Sequence, residues 1–196
     1  KYCKKKYIMS LIKMFKLKNI PNFLTIFRII LIPSIILCIE INTEKYHWIA
    51  LSLYITACFS DFFDGYFARK FDLESNFGKF LDPIADKILV VSIIIVLIAN
   101  AQISGIFVYP ALVIILREII VSGLRDFFLH SSQTLLVTTL AKCKTLIQMS
   151  SLGFLIVYQN FNTNIILYLG NIGLTVASII TIYTGYIYFK KNLKLF

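Results

Sequence analysis

Residues 47–99 read HWIALSLYITACFSDFFDGYFARKFDLESNFGKFLDPIADKILVVSIIIVLIA. Two apolar runs, at 47–67 and 80–99, flank an acidic stretch at 60–87. Each run reaches the roughly 20 residues that a helix needs to cross a hydrocarbon core. Such runs recur, and six spans are drawn at 23–41, 47–67, 80–99, 106–128, 145–158 and 165–189. The fifth is the shortest. To reach across it must begin at Ala141, which places Lys142 and Lys144 in its first turns.

Composition agrees with this reading. The 196-residue chain is 58% hydrophobic and has a mean hydropathy of +0.79, above the roughly half-apolar usage of soluble domains. The expected fold is an all-α integral membrane protein with six transmembrane helices and a polar cavity facing the cytoplasm. Residues 1–18 form a basic juxtamembrane segment and 19–196 a single helical domain, leaving no room for a second, soluble one.

The net charge of +10 comes from lysines and arginines that flank the apolar runs. That placement sets topology, and it lacks the basic stripe of a nucleic-acid-binding module. Basic residues next to spans stay in the cytoplasm, so the lysine-rich start and the tail with Lys190, Lys191 and Lys194 both belong there, which requires an even number of spans. The connections at 42–46, 100–105 and 160–164 then face outward, with Lys45 their only basic residue. The site is expected on the cytoplasmic side of a multi-pass protein of the cell or inner membrane.

Before the first span, Ile8, Leu11, Ile12, Met14, Phe15 and Leu17 alternate with Lys13, Lys16 and Lys18. This pattern gives either a short amphipathic helix on the anionic leaflet or a basic tail. No compact apolar core with a small-residue cleavage site follows, as a signal peptide would require. Cys3, Cys38, Cys58 and Cys143 form no C-x-x-C pair and read as small core residues.

The acidic stretch carries the chemistry. Asp61 and Asp64 are three apart and Asp82 and Asp86 four apart, so each pair shares one face of its helix. Antiparallel neighbours joined by a short loop bring four carboxylates to one cavity. Two such charges about 5 Å apart repel by roughly 3 kcal/mol at an effective dielectric of about 20, so the cluster must be protonated, paired with cations or metal-bound. Hard oxygen donors without histidine or cysteine favour magnesium, manganese or calcium. Aspartate-held metals beside a phosphate are a usual device for phosphoryl displacement.

Gly65 and Ala68 leave space on the face of Asp61 and Asp64, or else pack tightly against another helix. Arg69 offers a guanidinium suited to phosphate, and Gly78 a close backbone approach before the third span. Asp72 and Glu74 read as solvated loop charges.

Asp61-x-x-Asp64-Gly65-x-x-Ala68-Arg69, eight residues, then Gly78-x-x-x-Asp82-x-x-x-Asp86 resembles the CDP-alcohol phosphotransferase signature at all eight fixed positions. The resemblance implies six spans, a homodimer and a metal-dependent transfer of a phosphatidyl group from CDP-diacylglycerol to an alcohol. It implies that Asp61, Asp64 and Asp82 bind two divalent ions, Mg2+ or Mn2+. Asp86 is then the general base on the acceptor hydroxyl and also a metal contact. Gly65, Ala68 and Arg69, with Asp61 and Gly78, hold the CDP-lipid.

Three further segments resemble the branch of the family that uses sn-glycerol 3-phosphate as acceptor. They are Asn19-Ile20-Pro21-Asn22-Phe23-Leu24-Thr25 with Arg28, Arg117-Glu118-Ile119-Ile120-Val121-Ser122-Gly123-Leu124-Arg125, and Lys142-Cys143-Lys144-Thr145 with Gln148. A dianionic acceptor needs cations, and Arg117, Arg125, Lys142 and Lys144 supply them. Several alternatives stay open. Glu118 pairs with Arg117 or with a cation of another span, Lys142 and Lys144 serve the pocket or anchor the span, and Arg28 faces the cavity or snorkels to the interface. His47 and His130 are lone residues at span ends and are not read as ligands.

The same chemistry with phosphatidylglycerol or inositol phosphate as acceptor is the nearest competing function. An intramembrane prenyltransferase would space its aspartate pairs far apart in sequence. A cation-coupled transporter would show broken helices in mid-span.

Overall fold

The computed structural model describes residues 20–71, 76–129, 139–161 and 164–192, with the side chains of 20–24, 61–71, 76–80, 82–83, 124–129, 139, 141 and 188–192 outside that description. These residues form six α-helices and no strand: α1 (Ile20–Glu40), α2 (Glu44–Phe71), α3 (Asn76–Ala99), α4 (Val108–Leu129), α5 (Thr139–Val157) and α6 (Ile165–Asn192). Each coincides with one expected span. The helices α2, α3, α5 and α6 run past the apolar runs into polar sequence. Gly78 consequently sits in the first turn of α3 rather than ahead of it. The amphipathic segment expected within residues 1–18 lies outside the described residues.

Among the described residues, two stretches are long and apolar enough by themselves to cross a membrane, Gly105–Gly123 and Ile165–Ile187, each with a mean hydropathy of 2.0. The packing of the bundle adds a second argument. On α1, Ile30 and Leu37 are 62% and 63% exposed while Arg28 is fully buried. Leu116, Ile119, Ile179 and Ile182 are likewise exposed, whereas Lys144, Gln148, Ser151, Asn171 and Thr181 are buried. Exposing a large aliphatic side chain to water forgoes about 1.5–3 kcal/mol. A coat of this extent around a polar interior suits hydrocarbon as the surrounding solvent.

Neighbour relations close a ring in the order α1, α2, α5, α6, α4, α3, and α3 also reaches α5 across it. Ile35, Ile93, Leu97, Ile114, Leu152 and Leu155 fill the centre. Tyr54 of α2 donates to the Met149 carbonyl of α5 at 3.1 Å. The closest helix pair is α5 with α6, where a Cβ at Gly170 would lie 2.6 Å from Leu155 Cγ and 3.2 Å from the Ser151 carbonyl.

One end of the ring carries the connections at 41–43, 100–107 and 158–161. Asn42 and Ala101 adopt left-handed backbone there, with φ of 52° and 56°. Ala101 N donates to Ile98 O at 3.0 Å and Gln102 N to Leu97 O at 2.9 Å, a Schellman closure of α3. His47 Nδ1 and Asn160 Oδ1 are 2.7 Å apart. Asn160 also donates to Glu44 O at 3.0 Å, Asn171 to Gln102 O at 3.3 Å, and Asn100 to Glu40 at 3.4 Å. Trp48 meets Phe161 edge-on. We call this the capped end. His47 is thus a buried, hydrogen-bonded residue.

Candidate active site at the charged end of the bundle

The opposite end holds the acidic stretch. Asp61 and Asp64 lie ten and seven residues before the last residue of α2, and Asp82 and Asp86 lie six and ten residues after the first residue of α3. At about 1.5 Å per residue these offsets match, about 15 Å for Asp61 and Asp86 and about 9–10 Å for Asp64 and Asp82. The helix backbones therefore place the two pairs at corresponding heights. Gly65, Ala68 and Arg69 fall on the same last turns of α2. The side chains of Asp61, Asp64, Arg69 and Asp82 lie outside the described residues.

Asp86 is half-buried on α3, between the buried Ala85 and Leu89. Its charge acts on Lys144 of α5 and on Tyr54 of α2. Lys144 in turn forms an ion pair with Glu118 of α4. The same Glu118 oxygen lies 3.5 Å from Arg117 Nη1. The residue after Arg117 in sequence thus joins two helices through two cations. Both of the alternatives left open for Glu118 hold, since it pairs with its neighbour and with a cation of another span.

Of the four cations assigned to the acceptor, the structure brings Arg117 and Lys144 together. Lys142 is exposed. Two residues along a helix amount to a rotation of about 200°, so Lys142 and Lys144 occupy opposite faces of α5. Arg125 lies eight residues beyond Arg117 on α4, about 12 Å along the axis, and its side chain is outside the described residues. Arg28 does not snorkel. It is fully buried on α1, one turn beyond the equally buried Thr25.

Beyond Lys144, α5 buries Gln148 and then Ser151. The spacing of four and then three residues makes one buried polar stripe along α5. That stripe is visible in the sequence, but only its burial distinguishes it from a face turned to water. The bridging role of Glu118 has no such signal, because its Lys144 partner is 26 residues away.

The donor set suits a hard divalent cation. Four aspartates on two helices consecutive in the chain, α2 and α3, offer only carboxylate oxygens, the usual ligands of Mg2+ or Mn2+.

Comparison with known proteins follows the same line. The sequence profile described as CDP-alcohol phosphatidyltransferase matches residues 18–184. A protein of Rickettsia bellii named CDP-diacylglycerol–glycerol-3-phosphate 3-phosphatidyltransferase is 46% identical over 180 residues, 91% of this chain and 98% of that one. Proteins of the same name from Rickettsia felis and Rickettsia typhi are 44% identical over 180 residues and 45% over 175. These alignments take in 91% and 89% of this chain, and 98% and 97% of the relatives.

Proposed function

The chain belongs to the CDP-alcohol phosphatidyltransferase family, and on that premise we propose that it transfers a phosphatidyl group from CDP-diacylglycerol to sn-glycerol 3-phosphate. The products are phosphatidylglycerophosphate and CMP, a step of phospholipid synthesis. The observation that carries this reading is the pair of cations, Arg117 and Lys144, gathered from α4 and α5 on the Glu118 carboxylate. Such a cluster is fit for a phosphate-bearing acceptor.

The hydroxyl of glycerol phosphate is a weak nucleophile at neutral pH. Asp86 accepts its proton as the oxygen attacks the phosphorus that bears diacylglycerol. The bond from that phosphorus to the bridging oxygen breaks, and the electron pair leaves on CMP. Arg117 and Lys144 hold the acceptor's phosphate, with Arg125 and Lys142 at the same end of the bundle, and so orient the hydroxyl toward Asp86. Arg69, Gly65, Ala68 and Gly78 receive the cytidine diphosphate. Asp61, Asp64, Asp82 and Asp86 would hold the divalent ions, which would supply neutralisation of the diphosphate charge. Transfer is direct, with the acceptor hydroxyl itself as the nucleophile.

All six helices cross the membrane in this reading. They are 19 to 28 residues long, or about 28–42 Å, and share the apolar exterior. The charged end faces the cytoplasm together with both termini, the cavity opens there, and the enzyme works as a homodimer.

The test is CMP release by purified protein given CDP-diacylglycerol and Mg2+, with glycerol 3-phosphate, inositol 1-phosphate or phosphatidylglycerol supplied separately. Release that requires glycerol phosphate is expected. Release driven by either other acceptor would reassign the cationic pocket, and no release with any of the three would remove the enzyme reading.

A further inference from the structure

We propose that Glu118 is a charge filter for the acceptor site. Its carboxylate occupies Lys144 and Arg117 when no acceptor is bound, and only an anion more highly charged than a carboxylate displaces it. The inference rests on the reading of Arg117 and Lys144 as acceptor-phosphate ligands.

A single carboxylate oxygen of Glu118 serves both cations, one on its own helix and one on α5. Lys144 is only 4% exposed, so its ammonium has given up most of its hydration and depends on a local anion. The one negative charge of Glu118 is shared between two cations, and the charge of Asp86 reaches Lys144 as well. An arriving monoanion gains nothing over the resident carboxylate. It repeats the same unit attraction, pays its own desolvation and meets repulsion from Glu118 and Asp86. A phosphate monoester carries up to two charges and three acceptor oxygens, and so attracts each cation about twice as strongly at equal distance.

Displacement is mechanically simple. The Glu118 side chain keeps some exposure, at 17%, and it can swing out without moving α4. The Glu118 carbonyl stays within the helix, accepting from Ser122 Oγ. A purely structural ion pair leads to the opposite expectation. Losing it would loosen both cations, and all anions would bind less well regardless of charge.

The experiment compares methyl phosphate with dimethyl phosphate at about pH 8, by calorimetry on the purified full chain. The first is then a dianion, its second pKa being about 6, and the second is a permanent monoanion. The wild type should bind methyl phosphate at least about tenfold more tightly. Glu118→Gln should raise dimethyl phosphate affinity about tenfold and narrow the gap, and Glu118→Asp should restore it. In turnover, Glu118→Gln should lower the KM for glycerol phosphate by more than it changes kcat or the KM for the CDP-lipid.

Equal weakening of both anions in Glu118→Gln would overturn the filter. So would a wild type that binds the two alike or binds neither, a result that needs no variant to fold. Wild-type protein that sorts anions by charge yet releases no CMP with glycerol phosphate would keep the filter and discard the acceptor assignment. CMP release with glycerol phosphate by protein that does not sort anions would do the reverse.

Discussion

The two ends of the bundle treat polar groups in opposite ways. At the capped end, neutral amides, a histidine and backbone carbonyls stitch the helices together through His47–Asn160, Asn160–Glu44 and Asn171–Gln102. At the charged end, full charges face one another across α4 and α5 in Lys144, Glu118 and Arg117. Neutral hydrogen bonds hold geometry at little electrostatic risk, each contributing about 1 kcal/mol net. Buried charges are an expensive way to join helices, since desolvation consumes much of the attraction. In the proposed function, one end holds the bundle together and the other receives charged ligands.

The largest break in that contrast is expected from the aspartates. Asp86→Asn should lower CMP release by about 100- to 10,000-fold, the range of a lost general base, and spare most CDP-lipid binding. Asp61→Asn or Asp64→Asn should instead weaken Mg2+-dependent binding of the nucleotide. Near-normal turnover in Asp86→Asn would remove it as the base.

Next in size are the cations. Arg117→Ala should raise the KM for glycerol phosphate about 10- to 100-fold, as expected for a lost charged hydrogen bond of about 1.5–3 kcal/mol. The KM for CDP-diacylglycerol should move far less. Steady-state kinetics with each substrate varied in turn decides the matter, and equal shifts would make the role structural.

The helix seam sharpens the contrast from the other side. Gly170→Ala drives a methyl group against Leu155 and the Ser151 carbonyl, and should cost about 1–3 kcal/mol of stability. A lower melting temperature at unchanged KM values is the expected signature, with partial recovery in Gly170→Ala/Leu155→Ala. The smallest effect belongs to Asn160→Ala. Losing its bonds to His47 and Glu44 should lower stability by about 1 kcal/mol, seen in a thermal melt, while turnover at low temperature stays near normal.

The helices were legible because hydrocarbon-length apolar runs are a one-dimensional signal. Their ends were not. The described α5 begins at Thr139, six residues before the drawn span, and the Lys144–Glu118 pair ties this polar first part to α4. Such a contact depends on a partner that no local window contains. The aspartate signature was legible for the opposite reason, since its spacing fixes helical faces.

The cationic site was legible only in part. Spacing nominates Lys142 and Lys144 alike, but rotation about the helix separates them into one exposed and one buried residue. Arg28 presents the same ambiguity. An arginine near a helix end can snorkel or turn inward, and only the packing of α1 against α2 and α3 buries it.

The most direct measurement is transfer of label from glycerol 3-phosphate carrying labelled phosphorus into the lipid extract, with purified protein, CDP-diacylglycerol and Mg2+. Wild-type protein should move the label into lipid in step with CMP release, and Asp86→Asn should move almost none. Lipid that stays unlabelled while CMP is released, or equal labelling by Asp86→Asn, would contradict phosphatidyl transfer to glycerol phosphate at the charged end.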